Sequence, residues 1–239
     1  MRGTALSGST KTIIRITWNQ LFGGRPKTFD QRTDPAWYQY RWELWKQYTE
    51  PSLLRQTHED FEAWLLCDPE LREYTDWMTM PDSRFKLVYD RNAEAKKLKA
   101  DRYLFVRIDN DDVYCDTALQ EFNKTETDKE YIQFSEGWVL NHETRQLAEW
   151  RNPSPAFVCK IGGSGMFAKR MPGMIQHGKV KDVAHIIRGK KFVVVAHGNN
   201  VCNQFRGRFI GPEVEGEEKA NAFAEFGLEK IDGKSGNSQ

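Results

Sequence analysis

Four short apolar runs, separated by polar stretches, occupy the first 112 residues and leave few folds open to the chain. They are TIIRITW (12–18), FEAWLLC (61–67), FKLVYD (85–90) and YLFVRI (103–108). Each is rich in β-branched and aromatic residues and short enough for a buried strand. Between the first two, Trp37, Tyr40, Trp42, Leu44, Trp45, Tyr48, Leu53 and Leu54 recur at roughly helical spacing. This predicts a helix over 36–56, broken into two pieces by Pro51. Pro69 fits a first helical position after Asp68, with Glu70 in the first turn. NAEAKKLKA (92–100) predicts a short polar helix. A β-α-β-α-β-α-β order predicts a single α/β domain, with a Rossmann-like, mainly parallel sheet flanked by helices. Further on, 114–124 reads as a helix, YIQFSEGWVL and RQLAEW as a hairpin, VKDVAHIIR as a helix and KFVVVAH (191–197) as a last strand. Residues 1–212 form the domain, split near 112, and 213–239 form a charged tail, partly disordered, in which NAFAEFGLEK has helical character.

In such sheets ligands sit beyond the carboxyl ends of the strands. Thr17, Trp18 and Asn19 follow the first run, Asp68 follows the second, and Asp109, Asn110, Asp111 and Asp112 follow the fourth. No G-x-G-x-x-G or Walker A loop is present. Carboxylates packed into one turn repel, and a cation among them lowers that cost. Their hard oxygens suit Mg²⁺ or Mn²⁺, ions that complete their shells with phosphate oxygens. D-N-D-D at a strand end therefore fits a divalent metal holding a diphosphate. The competing reading is a solvated turn with Asp112 as N-cap of the helix at 114–124.

Charge is unevenly spread. The whole chain carries +1, yet residues 151–212 hold 11 basic residues and one acid, Asp182. That excess favours an anionic ligand or a polyanionic partner, nucleic acid included. Trp18, at a strand end, is a candidate for stacking on a base, whereas Trp37, Trp42 and Trp45 are placed for core packing. The four cysteines are widely spaced, so reduced thiols are expected. No stretch approaches the roughly 18 apolar residues of a membrane helix. With no signal-peptide-like core in MRGTALSGSTK, a cytoplasmic location is expected.

RIDNDD (107–112), preceded by WYQYRWELWKQYTEPSLLRQTHEDFEAWLLCD (37–68), resembles the rhamnosyltransferase family of nucleotide-sugar glycosyltransferases. RITWN, YIQFSEGWVL and VVVAHG extend the likeness over roughly residues 12–200, with most weight on 37–68 and 103–113. Val106 departs from it, since the family carries Thr there. The resemblance implies a GT-A type fold, with a nucleotide-binding half (12–112) and an acceptor-binding half (113–212). It implies transfer of a sugar from a nucleotide-diphosphate sugar to a hydroxyl acceptor, a saccharide or a polyanion such as modified DNA. It makes Asp109-Asn110-Asp111 the DxD element, with Asp109 facing the ribose or metal and Asp111 the metal. It gives Asp68 to the nucleoside, Thr17, Trp18 and Asn19 to the nucleotide by position, and His197 to a further metal bond.

The chemistry would be substitution at the anomeric carbon, with the leaving diphosphate stabilised by metal. Arg107, Lys160, Arg206 and Arg208 are candidates to add to that stabilisation. An inverting enzyme needs a base for the acceptor hydroxyl. Asp182 is the candidate, with Glu143 and Glu149 as alternatives. Two other classes fit less of the chain. A metal-dependent phosphoesterase or nuclease would use Asp109, Asp111 and His197, but only five histidines exist and they are scattered. A non-enzymatic nucleic-acid binder would use the basic segment, which lacks the interleaved aromatics of a single-strand groove.

Overall fold

The computed structural model describes residues 9–19, 30–151, 156–163, 166, 180, 183–198, 205, 207 and 209–229. They form one α/β domain on a mixed sheet whose paired positions are mostly parallel. β1 (Thr10–Thr17), β2 (Phe61–Leu66), β3 (Phe85–Val88) and β4 (Arg102–Asp109) are the four apolar runs. They lie side by side in the order β4-β1-β2-β3, all parallel. Period-two alternation gives each strand two buried faces. Ile13, Trp64, Leu66 and Phe105 pack under α3 (Arg91–Lys96) through Ala95. Ile14, Ile16, Leu65, Val106 and Ile108 face the other way, into the main core.

The helix expected over 36–56 is one continuous rod, not two pieces. α1 (Pro35–Leu44) is capped by Asp34, whose side chain accepts from Ala36 N at 2.9 Å. A π-helical segment, Trp45–Thr49, leads straight into α2 (Glu50–Leu54). Pro51 sits in the first turn of α2, where its missing N–H is tolerated and the widened turn accommodates the ring. Asp68 caps a 3-10 turn, Pro69–Tyr74, accepting from Glu70 N at 3.0 Å, as Pro69 and Glu70 predict.

The second half of the sheet is mixed. β5 (Val113–Tyr114), β6 (Tyr131–Asn141), β7 (Leu147–Trp150), β8 (Val158–Gly163) and β9 (Ala184–Ala196) complete it with β10 (Ile210–Val214). β6 and β7 are the expected hairpin. α4 (Ala118–Lys124) begins later than expected because Val113 and Tyr114 pair with β9 instead. The helix expected at VKDVAHIIR is overturned over its second half. Ala184 to Ile187 pair in parallel with β6, so sheet contact overrides local periodicity. β9 gains two residues on β6 through register shifts around Glu136. There Gly189 takes a φ of 97°, the left-handed region glycine tolerates, and its N–H donates to Glu136 Oε2 at 3.1 Å.

The division after residue 212 falls inside β10. β10 pairs with β7, and α5 (Gly216–Glu225) follows. Val214, Ala222, Phe226 and Leu228 are buried in the main core, so 213–229 belongs to the domain. Among the described residues no helix is long and apolar enough to cross a membrane, and Cys67, Cys115 and Cys159 are buried.

Candidate functional site

The parallel register sets Thr17 beside both Leu66 and Asp109, so β1, β2 and β4 end at one edge. Across that edge lies α1. The acidic turn is held there by the helical rod. Thr49 Oγ1 donates to the carbonyl of Asp112 at 2.8 Å. Gln56 Nε2 donates to the carbonyl of Cys115 at 2.8 Å, and its Oε1 accepts from Leu119 N at 3.0 Å. Thr57 N donates to the carbonyl of Asp116 at 2.8 Å. The segment YTEPSLLRQT thus braces the chain from Asp109 to Leu119.

Asn110, Asp111 and Asp112 are buried, at 5 % exposure or less. Each side chain has its own partner. Arg41, from α1, donates through Nη1 to Asp111 Oδ2 at 3.2 Å and through Nη2 to Asn110 Oδ1. His197, just past β9, lies with Nε2 2.8 Å from the same Asp111 oxygen. Tyr40 stands edge-on to its ring at 5.5 Å. An ionised Asp111 only accepts, so Nε2 carries the proton and donates it. Its 3.1 Å approach to Arg41 Nη1 is then a contact between two donors. Burial pushes the Asp111 carboxyl up, but the Arg41 charge and the His197 bond outweigh it and hold the carboxyl below its ordinary value.

Asp112 points inward, and its Oδ1 accepts from Val195 N at 3.0 Å. It does not cap α4, whose N-cap is Thr117. Burial, then the charges of Asp111 and Asp109, push its carboxyl well above the ordinary value. A raised folded-state pKa adds stability below the unfolded value near ~4 and loses it as pH rises through the folded one. Asp112→Asn keeps the acceptor for Val195 and removes that loss. It is expected to be more stable than wild type by at least about 1 kcal/mol at pH 7–8 and to lose the advantage toward pH 4. Urea melts at the two pH values measure this, and an advantage that grows on acidification would refute it.

Asp109 lies on the opposite face of β4, as alternation requires after Ile108. Its carboxylate pairs with Arg107 Nη2 at 3.2 Å. Arg15 sits across from Arg107 on β1. Burial, then the charges of Arg107 and Arg91, lower Arg15 to about 10. Asp68 pairs with Arg32 at 2.6 Å, and its N–H donates to Asn19 Oδ1 at 2.7 Å. Asn19 Nδ2 donates to the Tyr38 hydroxyl at 2.9 Å. Trp18 is packed in the core, edge-to-face with Trp42 and Trp45 at 6.0 and 6.2 Å.

The structure therefore brings together Asp111 and His197, and separately Asn19 and Asp68. Asp109 and Arg107 form a pair on the other face. Lys160 pairs with Glu130 at 2.9 Å on β8. Asp182, Arg206 and Arg208 lie outside the described residues, as does most of the loop GGSGMFAKRMPGM. Of the alternative bases, Glu149 is tied to Lys190 at 2.9 Å. Glu143 lies close to the site, since a Cβ on Gly198 would stand 3.5 Å from its Oε1. A cleft of about 380 Å³ between β6, β9 and α5, walled by Trp138 and Lys190, shares no residue with this site.

Sequence reasoning missed Arg41. Its signal was there to be read. Tyr38, Trp45 and Tyr48 are buried on one stripe of the rod, and Arg41 falls at a position of that stripe. An arginine in a buried stripe calls for a buried anion.

The expected divalent ion can be tested against these side chains. Asp111 Oδ2 already serves Arg41 and His197, and His197 Nε2 is protonated toward it. Asp109 and Asp112 turn elsewhere. Among the described residues no three His, Cys, Asp or Glu side chains gather as a metal set. The groups left over in the cluster are donors: among the described residues, Arg41 Nε and Asn110 Nδ2 are buried without a hydrogen-bond partner. As they stand, these side chains do not fit a divalent ion.

Neither a protein-family model nor a curated protein sequence matches the chain. Among solved structures it is similar to S. aureus TarS 1–349, with 12% identity and a TM-score of 0.38, over 77% of this chain and 60% of that one. The same fragment in complex with UDP gives 12% identity and 0.39, over 79% and 61%. A structure of S. aureus TarS gives 10% and 0.34, over 78% and 37%. The chain thus spans about 60% of the TarS fragment.

Proposed function

We propose that this chain is a glycosyltransferase of GT-A type that moves a sugar from a nucleoside-diphosphate donor to a hydroxyl acceptor. The supporting observation is the buried Arg41–Asn110–Asp111–His197 cluster at the carboxyl edge of the parallel strands, where α/β sheets bind ligands. A strand edge rich in guanidinium and amide donors suits a diphosphate leaving group. Asn19 and Asp68, joined at the ends of β1 and β2, are our candidates to meet the nucleoside. In the reaction the bond from the anomeric carbon to the phosphate oxygen breaks and its electron pair leaves with the diphosphate. The acceptor oxygen bonds to that carbon, and its proton passes to a base. Glu143 and Asp182 are our candidates for the base. The acceptor is a saccharide or a polyanion drawn by the basic segment 151–212, and rhamnose is one candidate sugar.

A thermal-shift screen of UDP-, GDP-, CMP- and dTDP-sugars, each in EDTA and in Mn²⁺, tests this. Donor at 100 times its Kd stabilises the fold by about 2.7 kcal/mol. One nucleotide is expected to raise the melting temperature, and donor turnover by the Glu143→Gln variant is expected to fall in kcat with unchanged donor KM. Silence from every donor, with and without metal, means the protein is not a nucleotide-sugar enzyme.

A further inference from the structure

We infer that Arg41, acting with Asn110, is the cation that meets the donor diphosphate, in the place where a divalent ion was expected. This rests on the reading of the ligand as a nucleoside diphosphate. Three observations carry it.

Charge is the first. Asp111 is neutralised from within the chain by the Arg41 guanidinium. The Arg41 side chain is 14 % exposed and that of Asp111 7 %. A dication entering beside this charge-neutral pair finds no net carboxylate charge to draw it.

Valence is the second. Among the described residues, the buried groups still unpaired here are N–H donors, Arg41 Nε and Asn110 Nδ2. A metal ion cannot satisfy an N–H. Phosphate oxygens can, because they only accept. Asn110 is 1 % exposed, so its amide is a built part of the site, not a solvated side chain.

Anchorage is the third. Arg41 is fixed at two arms, Nη1 on Asp111 and Nη2 on Asn110, with the turn beneath it tied to Thr49. The guanidinium is therefore oriented before any ligand arrives, which reduces the ordering cost of binding.

The test is calorimetric titration of UDP, GDP, CDP and dTDP into wild type, in EDTA and in Mn²⁺. The same titrations are run on Arg41→Gln and Arg41→Lys, after their melting curves confirm folding. Electron paramagnetic resonance of free Mn²⁺ supplies a readout that needs no nucleotide. Wild type is expected to bind one nucleoside diphosphate equally well with and without Mn²⁺, and to leave Mn²⁺ free in the absence of nucleotide. Arg41→Gln is expected to weaken nucleotide binding roughly 10- to 100-fold, the loss of charge-assisted bonds. Arg41→Lys keeps the charge without the fork and falls between. Wild-type binding that appears only with Mn²⁺, or tight Mn²⁺ uptake by wild type alone, overturns the inference and leaves the transferase reading intact. No binding in either condition removes both. If the Arg41 variants do not fold, the wild-type comparison still decides.

Discussion

Asp111→Ala is expected to lose about 3–5 kcal/mol of stability together with all measurable nucleotide binding. The loss stems from the two groups that the carboxylate holds. Arg41 and His197 converge on one oxygen, and both are largely buried. Removing the anion leaves a largely buried guanidinium without its counter-charge and a fully buried imidazole N–H without its acceptor. Asp111→Asn keeps an oxygen for one of them and is expected to lose less. The depressed carboxyl also sets the acid limit: stability from Asp111 is present above the unfolded value near ~4 and disappears as pH falls through the folded one. Chemical denaturation at pH 7 measures the loss. A change below about 1 kcal/mol would place the pair among ordinary surface ion pairs and undo the picture of the site.

Gly137→Ala is the second large effect, and it lies away from the site. A Cβ at Gly137 would stand 2.4 Å from two ring carbons of Phe192 and 2.6 Å from that residue's carbonyl oxygen. The ring cannot swing away, because it is stacked on Phe157 at 3.9 Å. The carbonyl belongs to β9, beside the register shifts. The added methyl must therefore push two strands apart, at a cost of about 3 kcal/mol or a fall in melting temperature of about 6–12 °C. A scanning calorimetry shift under about 2 °C would mean that β6 and β9 do not pair as described.

Much of the fold was legible because buried parallel strands are written as unbroken apolar runs. All four such runs became strands, and Asp34, Asp68 and Asp90 cap the helical turns that begin after them. The second half was harder to read. Ala184 to Ile187 are strand only because β6 lies beside them, and no local pattern contains that neighbour. The tail misled through its charge, since a few buried residues, Phe226 and Leu228 among them, dock it. At the site, the acidic cluster was legible as a cluster but not as a set of directions. Alternation sends Asp109 to one face, while Asp111 and Asp112 leave the strand on separate errands. The counter-charge came from Arg41, 70 residues away in sequence, so the crowding that suggested a metal was already answered by the chain itself.

The docking of residues 226–228 has a consequence for how the protein is made. Arg55, on the rod that braces the acidic turn, donates to the carbonyl of Phe226 at 2.7 Å, and Arg145 donates to that of Leu228 at 2.7 Å. Phe226 and Leu228 sit in the same core as Ile14, far apart from it in sequence. A ribosome delivers Ile14 well before Leu228. The core therefore closes only once Leu228 has emerged, and until then its unfinished apolar surface is in the care of whatever shelters the nascent chain.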